Sequence, residues 1–289
     1  MTALATFPLL NDLHHLCRAV SIAPLFSNEM QRATGLLRIP GEWPRQPGRI
    51  SQGGDAFFRG EAAALGAMKP SSLAAHFYVF PRELVERALA ERSDSDVAII
   101  AARLEAGSQL MNRVLGSPDS STTSTLDFLR ALLDGLDSSA RPGFAALADL
   151  EWPRSTWAQL CFAARQVHEF QQESRFHAAA SQLSGAEYVA LVAAADGMLA
   201  EGALAEAGWD EPAADAAIDQ LTSRGFLIDD RATSDGLVLL NEIDFVADRA
   251  QRELSVRLDH RAHVHLNRIE QWGNLIVNDR QMRDVVQTT

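Results

Sequence analysis

The chain has 289 residues, 47% of them hydrophobic and 22% charged, proportions that suit a globular protein with apolar surface enough for one or two cores. A formal net charge of −12 and a pI near 5.1 work against non-specific attraction to nucleic acid or to anionic membranes. Two cysteines, Cys17 and Cys161, do not make a disulfide framework, no apolar run approaches the ~18 residues that would span a bilayer, and the first residues carry no charged leader, so a cytoplasmic setting is expected.

In chain order, a helix is expected around HHLCRAVSIAPLF, broken at Pro24, and then a Pro- and Gly-rich loop at 39–55. Helical patterning resumes with AFFRGEAAALGAM, SSLAAHFYVF and PRELVERALAER, and continues through DVAIIAARLEAGSQLMNRVLG to a stop at Gly116. SPDSSTTST, 117–125, is expected to be a polar linker. Three more helical stretches follow, LDFLRALLDGLD, PGFAALADL and a long one from Trp152 to about Leu183.

Past that point the pattern changes. Ser184 and Glu187 have the spacing of a capping box ahead of the helix AEYVALVAAADGM. EGALAEAGW and DEPAADAAIDQLTSRG are two further helices, the second with Asp210 as its N-cap and Gly225 past its end. FLID, the polar DRATSD and GLVLL are expected to form a two-stranded wing, with a return to helix at NEIDFVADRAQRELSVRL. The predicted fold is therefore mainly α: a helical bundle over 1–183 with a small-molecule pocket, a winged helix-turn-helix over 184–258, and a C-terminal extension over 259–289.

The helix that would read DNA is acidic. Residues 209–230 carry Asp210, Glu211, Asp215, Asp219, Asp229 and Asp230 against the single basic Arg224. Phosphate neutralisation supplies most of the affinity of such modules, so these charges predict that DNA is not read.

Four stretches carry a resemblance. FFRGEAAALG (57–66), HFYVFP (76–81) and QQESRFH (171–177), together with LSGAEYVALVAAADG through LVLLNEI, resemble a bacterial two-domain family that joins an N-terminal helical bundle to a MarR-like winged helix. The resemblance spans most of the chain. It implies a small-molecule role, with natural-product assembly as one setting. Glu61 stands where the family pattern has Arg, and His76 and Val79 depart from it beside Phe77 and Tyr78. Only His177 of the charged run is kept, so the ligand implied differs from that of a typical member.

Residues suited to chemistry fall in the same places. Arg165, Glu169, Glu173 and His177 recur every four residues and share a helix face, where a carboxylate one turn from an imidazole makes a general base. The alternative is a solvated ladder of ion pairs. Glu61 sits among Ala and Leu, where burial would raise its pKa, unless it reaches the surface or pairs with an arginine. His76 and Tyr78 are candidates to orient a ligand or to pack with their polar tips bonded, and His168 is placed nearer the apolar face. His260, His263 and His265 align on no single regular element, and no metal is expected to bind.

G-x-S-x-G, G-x-x-x-x-G-K-[ST], G-x-G-x-x-G and H-E-x-x-H are all missing from the sequence, and no organic cofactor is expected. The favoured expectation is a small-molecule enzyme or ligand-binding protein, extending to a cofactor-independent lyase or cyclase. There Glu61 or His177 is the base, Glu173 orients it, and His76, Tyr78 and His168 hold substrate. The alternatives are a ligand-responsive winged-helix regulator and a non-catalytic subunit that completes a partner's active site. The partners expected are a small molecule, no nucleic acid and no membrane, with homo- and hetero-oligomers both open.

Overall fold

The computed structural model describes residues 8–34, 54–66, 68–90, 96–258 and 261–279. The loop expected at 39–55 lies outside the described residues except for its last two, which open a helix, and His260 also lies outside them. The first helices are α1 (Pro8–Ile22), α2 (Asn28–Thr34), α3 (Gly54–Ala62), α4 (Pro70–Leu73) and α5 (Arg82–Ala90), with a 3-10 turn at Ala74–His76 after α4. They are followed by α6 (Asp96–Leu115), α7 (Ser120–Leu133), α8 (Pro142–Ala148) and α9 (Thr156–Ala180).

The polar stretch expected as a linker is mostly helix. Asp119 accepts from Thr122 N–H at 2.8 Å and Thr122 Oγ1 from Asp119 N–H at 3.2 Å, a reciprocal cap that starts α7. Thr122 and Thr125 are then buried, and packing overrides the weak helix preference of the Ser/Thr run.

Helix α9 organises the first half. Its 25 residues begin at a Ser155 cap, and every residue from Leu160 to Gln171 is buried. One side, Trp157 included, packs with Leu13, Leu110 and Leu129 into a large apolar core. Phe58, Leu73, Phe77, Leu84 and Val85 form a smaller cluster beside it. Along its C-terminal end, Ala178 and Ala179 enter a separate core with Leu191, Leu204, Leu221 and Ile243. The same helix therefore belongs to both cores.

That second core is the winged helix. Its elements are α10 (Gly185–Ala195), α11 (Ala200–Glu206), α12 (Glu211–Ser223), β1 (Leu227–Ile228), β2 (Arg231–Ala232) and α13 (Ser234–Ala250). The expected Ser184–Glu187 capping box forms at 2.7 and 3.2 Å, and Asp210 caps α12 through Ala213 N–H at 3.0 Å. The wing is shorter than expected. Leu227 pairs with Ala232 and Ile228 with Arg231, and both residues of the turn, Asp229 and Asp230, take positive φ of 49° and 59°. That geometry matches the right-handed twist of a two-residue hairpin, and Asp tolerates it better than most side chains. GLVLL is not the second strand. Thr233 caps α13 by accepting from Gly236 N–H at 3.1 Å, so the apolar run starts a 17-residue helix instead.

After α13 come a short α14 (Arg252–Ser255) and α15 (Ala262–Val277). The last helix buries Leu266, Ile269, Trp272 and Ile276 in the first core, with Trp272 edge-on to Trp157.

Two halves meet at residues 76–79. Tyr78 Oη donates to Leu183 O at 2.8 Å, and Trp209 Nε1 donates to Val79 O at 3.1 Å. Gly185 is packed so closely on the Tyr78 carbonyl that a Cβ there would collide with it. Gly185→Ala is expected to lower stability by about 1–3 kcal/mol, the usual cost of overpacking, measured as the shift in denaturant midpoint at constant slope.

Candidate functional site

The stripe on α9 is buried along most of its length, and groups from four other elements make it tolerable. Arg165 and Glu169 pair within the helix, one turn apart. From α3, Glu61 places one carboxylate oxygen 2.6 Å from Arg165 Nη2 and the other 2.9 Å from Arg103 Nη2 of α6. Arg103 also donates to Gly60 O at 3.1 Å and to Ser21 O at 2.7 Å. At the other end, His76 Nε2 is 2.9 Å from Glu169 Oε1, and His76 Nδ1 is 3.6 Å from Glu173 Oε1. Glu173 accepts from the N–H groups of Gly143 and Phe144 at 2.9 and 3.0 Å, which caps the start of α8.

Six side chains thus form one network: Arg103, Glu61, Arg165, Glu169, His76 and Glu173. Burial works against a charge on His76, but Glu169 and then Glu173 overcome it and lift its pKa to about 10. Burial likewise opposes the Glu169 carboxylate, and Arg165 and His76 hold it ionised with a pKa of about 2. With His76 protonated, three cations face three anions. Isolated charges here would be prohibitive, and only this mutual pairing makes their burial possible.

Most of the candidates from sequence are distributed as follows. Glu61, His76 and Glu173, drawn from three separate stretches, are members of this network. His177 is not, because α9 turns it out to solvent. Tyr78 is bonded to Leu183 and packs against Phe176 and Tyr188, so it serves the junction between the two cores. His168 is fully buried on another side of α9, its ring 4.8 Å from that of His14, with neither nitrogen bonded among the described residues. Burial, then His14 and nearby arginines, push its pKa well below the ordinary value. His265 stacks on Phe128 and contacts Thr125 Oγ1 at 3.2 Å, while His263 is exposed. Arg103 and Glu169 carry the network yet were not singled out alone. Arg103 is the one charge in the run AIIAAR, and that isolation was the available signal.

His76, Glu169 and Glu173 bring one donor atom each within 4.8 Å of one another, as a divalent metal would need. Their donors are already engaged, however. Both Glu173 oxygens accept backbone N–H groups, and Glu169 is shared between Arg165 and His76. Gly143 presses on this spot closely enough that a Cβ would strike Glu169 Oε1 and His76 Cε1. The geometry suits an imidazolium clasped by two carboxylates better than an ion.

Beside the network, Glu61, Arg103 and Arg165 line a cleft with about 30 Å³ of free space, walled by Pro24, Ile100, Leu104, Leu147 and Phe162. Cys161 also lines it, but burial pushes its thiol up to about 12, so no thiolate is on offer.

The histidines set opposite pH dependences. His76 is raised above the free value of 6.5, so its contribution is complete below that pH and is lost as pH rises toward 10. His168, and His14, which burial also lowers, are held neutral, so their contribution is present above 6.5 and lost as pH falls below it. The histidine contributions together predict a stability maximum near pH 6.5 in denaturant titrations. His76→Gln is expected to cost about 3–5 kcal/mol and to flatten the alkaline arm, and His168→Leu to flatten the acid arm.

Among the described residues no helix is long and apolar enough to cross a membrane. Comparison with curated proteins and with solved structures returned no match. The sequence profile of a helix-turn-helix family, by contrast, matches residues 11–283, nearly the whole chain. This match agrees with the winged-helix half of the resemblance and gives the lyase and cyclase expectation no support. It also corrects one expectation outright: the acidic α12 had argued against nucleic acid, and membership in a helix-turn-helix family points to DNA as the partner. The chain belongs to the helix-turn-helix family.

Proposed function

We propose that the protein is a winged-helix DNA-binding regulator whose helical bundle, residues 1–183, senses a small molecule. One observation carries the proposal beyond the family match. The buried network and the DNA-reading head are joined by four consecutive residues. His76 is clasped by Glu169 and Glu173, Tyr78 bonds Leu183 just ahead of α10, and Val79 O holds Trp209. Trp209 immediately precedes Asp210, the N-cap of α12. A shift of the network moves the segment that fixes the entry of the recognition helix, and buried packing transmits such shifts because it resists gradual deformation.

The acidic face of α12 then bears on how DNA is read. Asp215, Asp219, Gln220 and Ser223 are exposed, and acidic or amide side chains of this kind accept from cytosine N4–H or pair with adenine. Phosphates fall to few cations. Arg231 stands exposed on the wing, and Arg224, tied to Glu187 at 3.0 Å, lies at the end of α12. Two phosphate contacts per head predict a log–log salt slope of about −1.8, far shallower than that of a basic reader. The pocket half of the proposal draws on FFRGEAAALG, HFYVFP and QQESRFH, which supply Glu61, His76 and Glu173 to one site.

The test is selection of genomic fragments from the source organism at low salt, followed by affinity measurement across a salt series. Retention of particular fragments with that shallow slope is expected, and Arg231→Ala should reduce the slope by about 0.9. No retained fragment at the lowest salt would end the proposal. Trp209→Phe, which removes the bond to Val79 O and keeps an aromatic ring against the second core, is expected to leave the fold intact and to weaken DNA binding by about fivefold, since one neutral hydrogen bond contributes about 1 kcal/mol.

A further inference from the structure

One helix of the winged-helix half is apolar on both sides. α13 buries Leu239, Ile243 and Ala247 in the second core, yet Val238 and Val246 on its outer side are 53% and 52% exposed, and Phe245 is only half-buried. The outer face of a surface helix is ordinarily polar, and apolar residues gathered on one mark a contact. The spacing on this face is regular. Val238 and Phe245 are seven residues apart, as are Glu242 and Arg249, the interval at which a helix presents one line of residues to a partner helix. Glu242 and Arg249 are exposed, and neither is paired with an opposite charge among the described residues. Arg249 leans over the Phe245 ring at 5.8 Å, whereas Asp244 points the other way, to Arg175 of α9.

We propose that the outer face of α13 is the surface on which two copies of the chain pair, each α13 lying antiparallel on the other. A two-fold axis passing between Phe245 and Val246 sets Glu242 of each copy level with Arg249 of the other, because the two residues are equally far from that point. Two identical ion pairs then flank an apolar centre of Phe245 and Val246. The same patch serves both copies, as a closed two-fold dimer requires. A parallel pairing would set each residue level with its own copy, so Glu242 and Arg249 would not meet. The charges thus select the antiparallel orientation. One helix from each side makes a small interface, and its dissociation constant is expected to be on the order of 10 µM. The pairing does not rest on DNA reading. For the regulator proposed above it supplies two heads, the arrangement with which helix-turn-helix dimers meet two half-sites.

The experiment is sedimentation equilibrium of the full chain, without DNA, from about 1 to about 200 µM, a range that brackets the expected constant. A reversible monomer–dimer equilibrium is expected. Glu242→Arg and Arg249→Glu each set like charges against each other twice across the pair, and each is expected to weaken it at least about tenfold. Both residues are exposed, so native helical content is expected in both variants and is checked by circular dichroism. The double variant, Glu242→Arg with Arg249→Glu, should pair like the wild type. An equimolar mixture of the two single variants should also pair, because every contact then joins an arginine to a glutamate. A wild-type chain that stays monomeric throughout leaves the face to some other protein and overturns the proposal. So does a dimer indifferent to both single reversals, or one that the folded double variant and the mixture fail to restore. Because no DNA is present, these outcomes are separate from any failure to retain genomic fragments.

Discussion

A helix buried on all sides has no solvent in which to hide a charge. Between Leu160 and Gln171, α9 is such a helix, and it carries Arg165 and Glu169, with Glu173 just beyond. Their ionisation therefore depends wholly on what is packed around them. Removing one partner from a buried pair leaves the other uncompensated at a cost of about 3–5 kcal/mol, a large share of the stability of an ordinary domain. The positions of α3, α6, α8 and the turn at Ala74–His76 follow from that requirement, because each delivers one group the stripe cannot do without: Glu61, Arg103, the N–H groups of Gly143 and Phe144, and His76. Hydrophobic burial would hold these elements nearby in many arrangements. The charges select one.

The same requirement ties the bundle to the winged helix. His76 cannot leave its two carboxylates cheaply, and Tyr78 and Val79 follow it at two and three residues' distance, too short a stretch to move independently. Tyr78 bonds the last residue before the Ser184 cap, Gly185 packs on the Tyr78 carbonyl, and Val79 holds Trp209. α9 itself gives Ala178 and Ala179 to the head's core, and Arg175 pairs with Asp244 of α13 at 3.3 Å. α12 is thus set by the bundle as much as by its own neighbours, which is the arrangement the proposed ligand-controlled reader needs.

Much of this was legible in the residues. The helices, the Ser184 and Asp210 caps and the turn to a wing are local events with local signals, and they formed as expected. The wing's second strand was misplaced because an apolar run of five residues has no period of its own; Thr233, one cap residue, decided it. Spacing by four suggested that Arg165, Glu169, Glu173 and His177 share a face, but each step of four turns about 40° past a full circle. By His177 the stripe has rotated by roughly 120° from Arg165 and emerged into solvent. Glu61 was singled out for its apolar neighbours, correctly as to burial, yet nothing in the sequence could pair it with Arg103, 42 positions away by number. The charge of α12 was visible from the start. Its weight was misjudged, because net charge governs approach to the backbone and says little about contact with base edges.

The most direct test of this account follows backbone hydrogen exchange in the wild-type protein and in Glu169→Gln, compared where both retain native helical content. Among the described residues Glu169 pairs with Arg165 and His76, both in the bundle. If the network sets the head through residues 76–79, the substitution should speed exchange at Trp209, whose N–H is bonded to Leu204 O at 3.0 Å, and at Ala213 in the first turn of α12, as well as around the network. Faster exchange confined to α3, α6 and α8, with Trp209 and Ala213 protected as in the wild type, would contradict it.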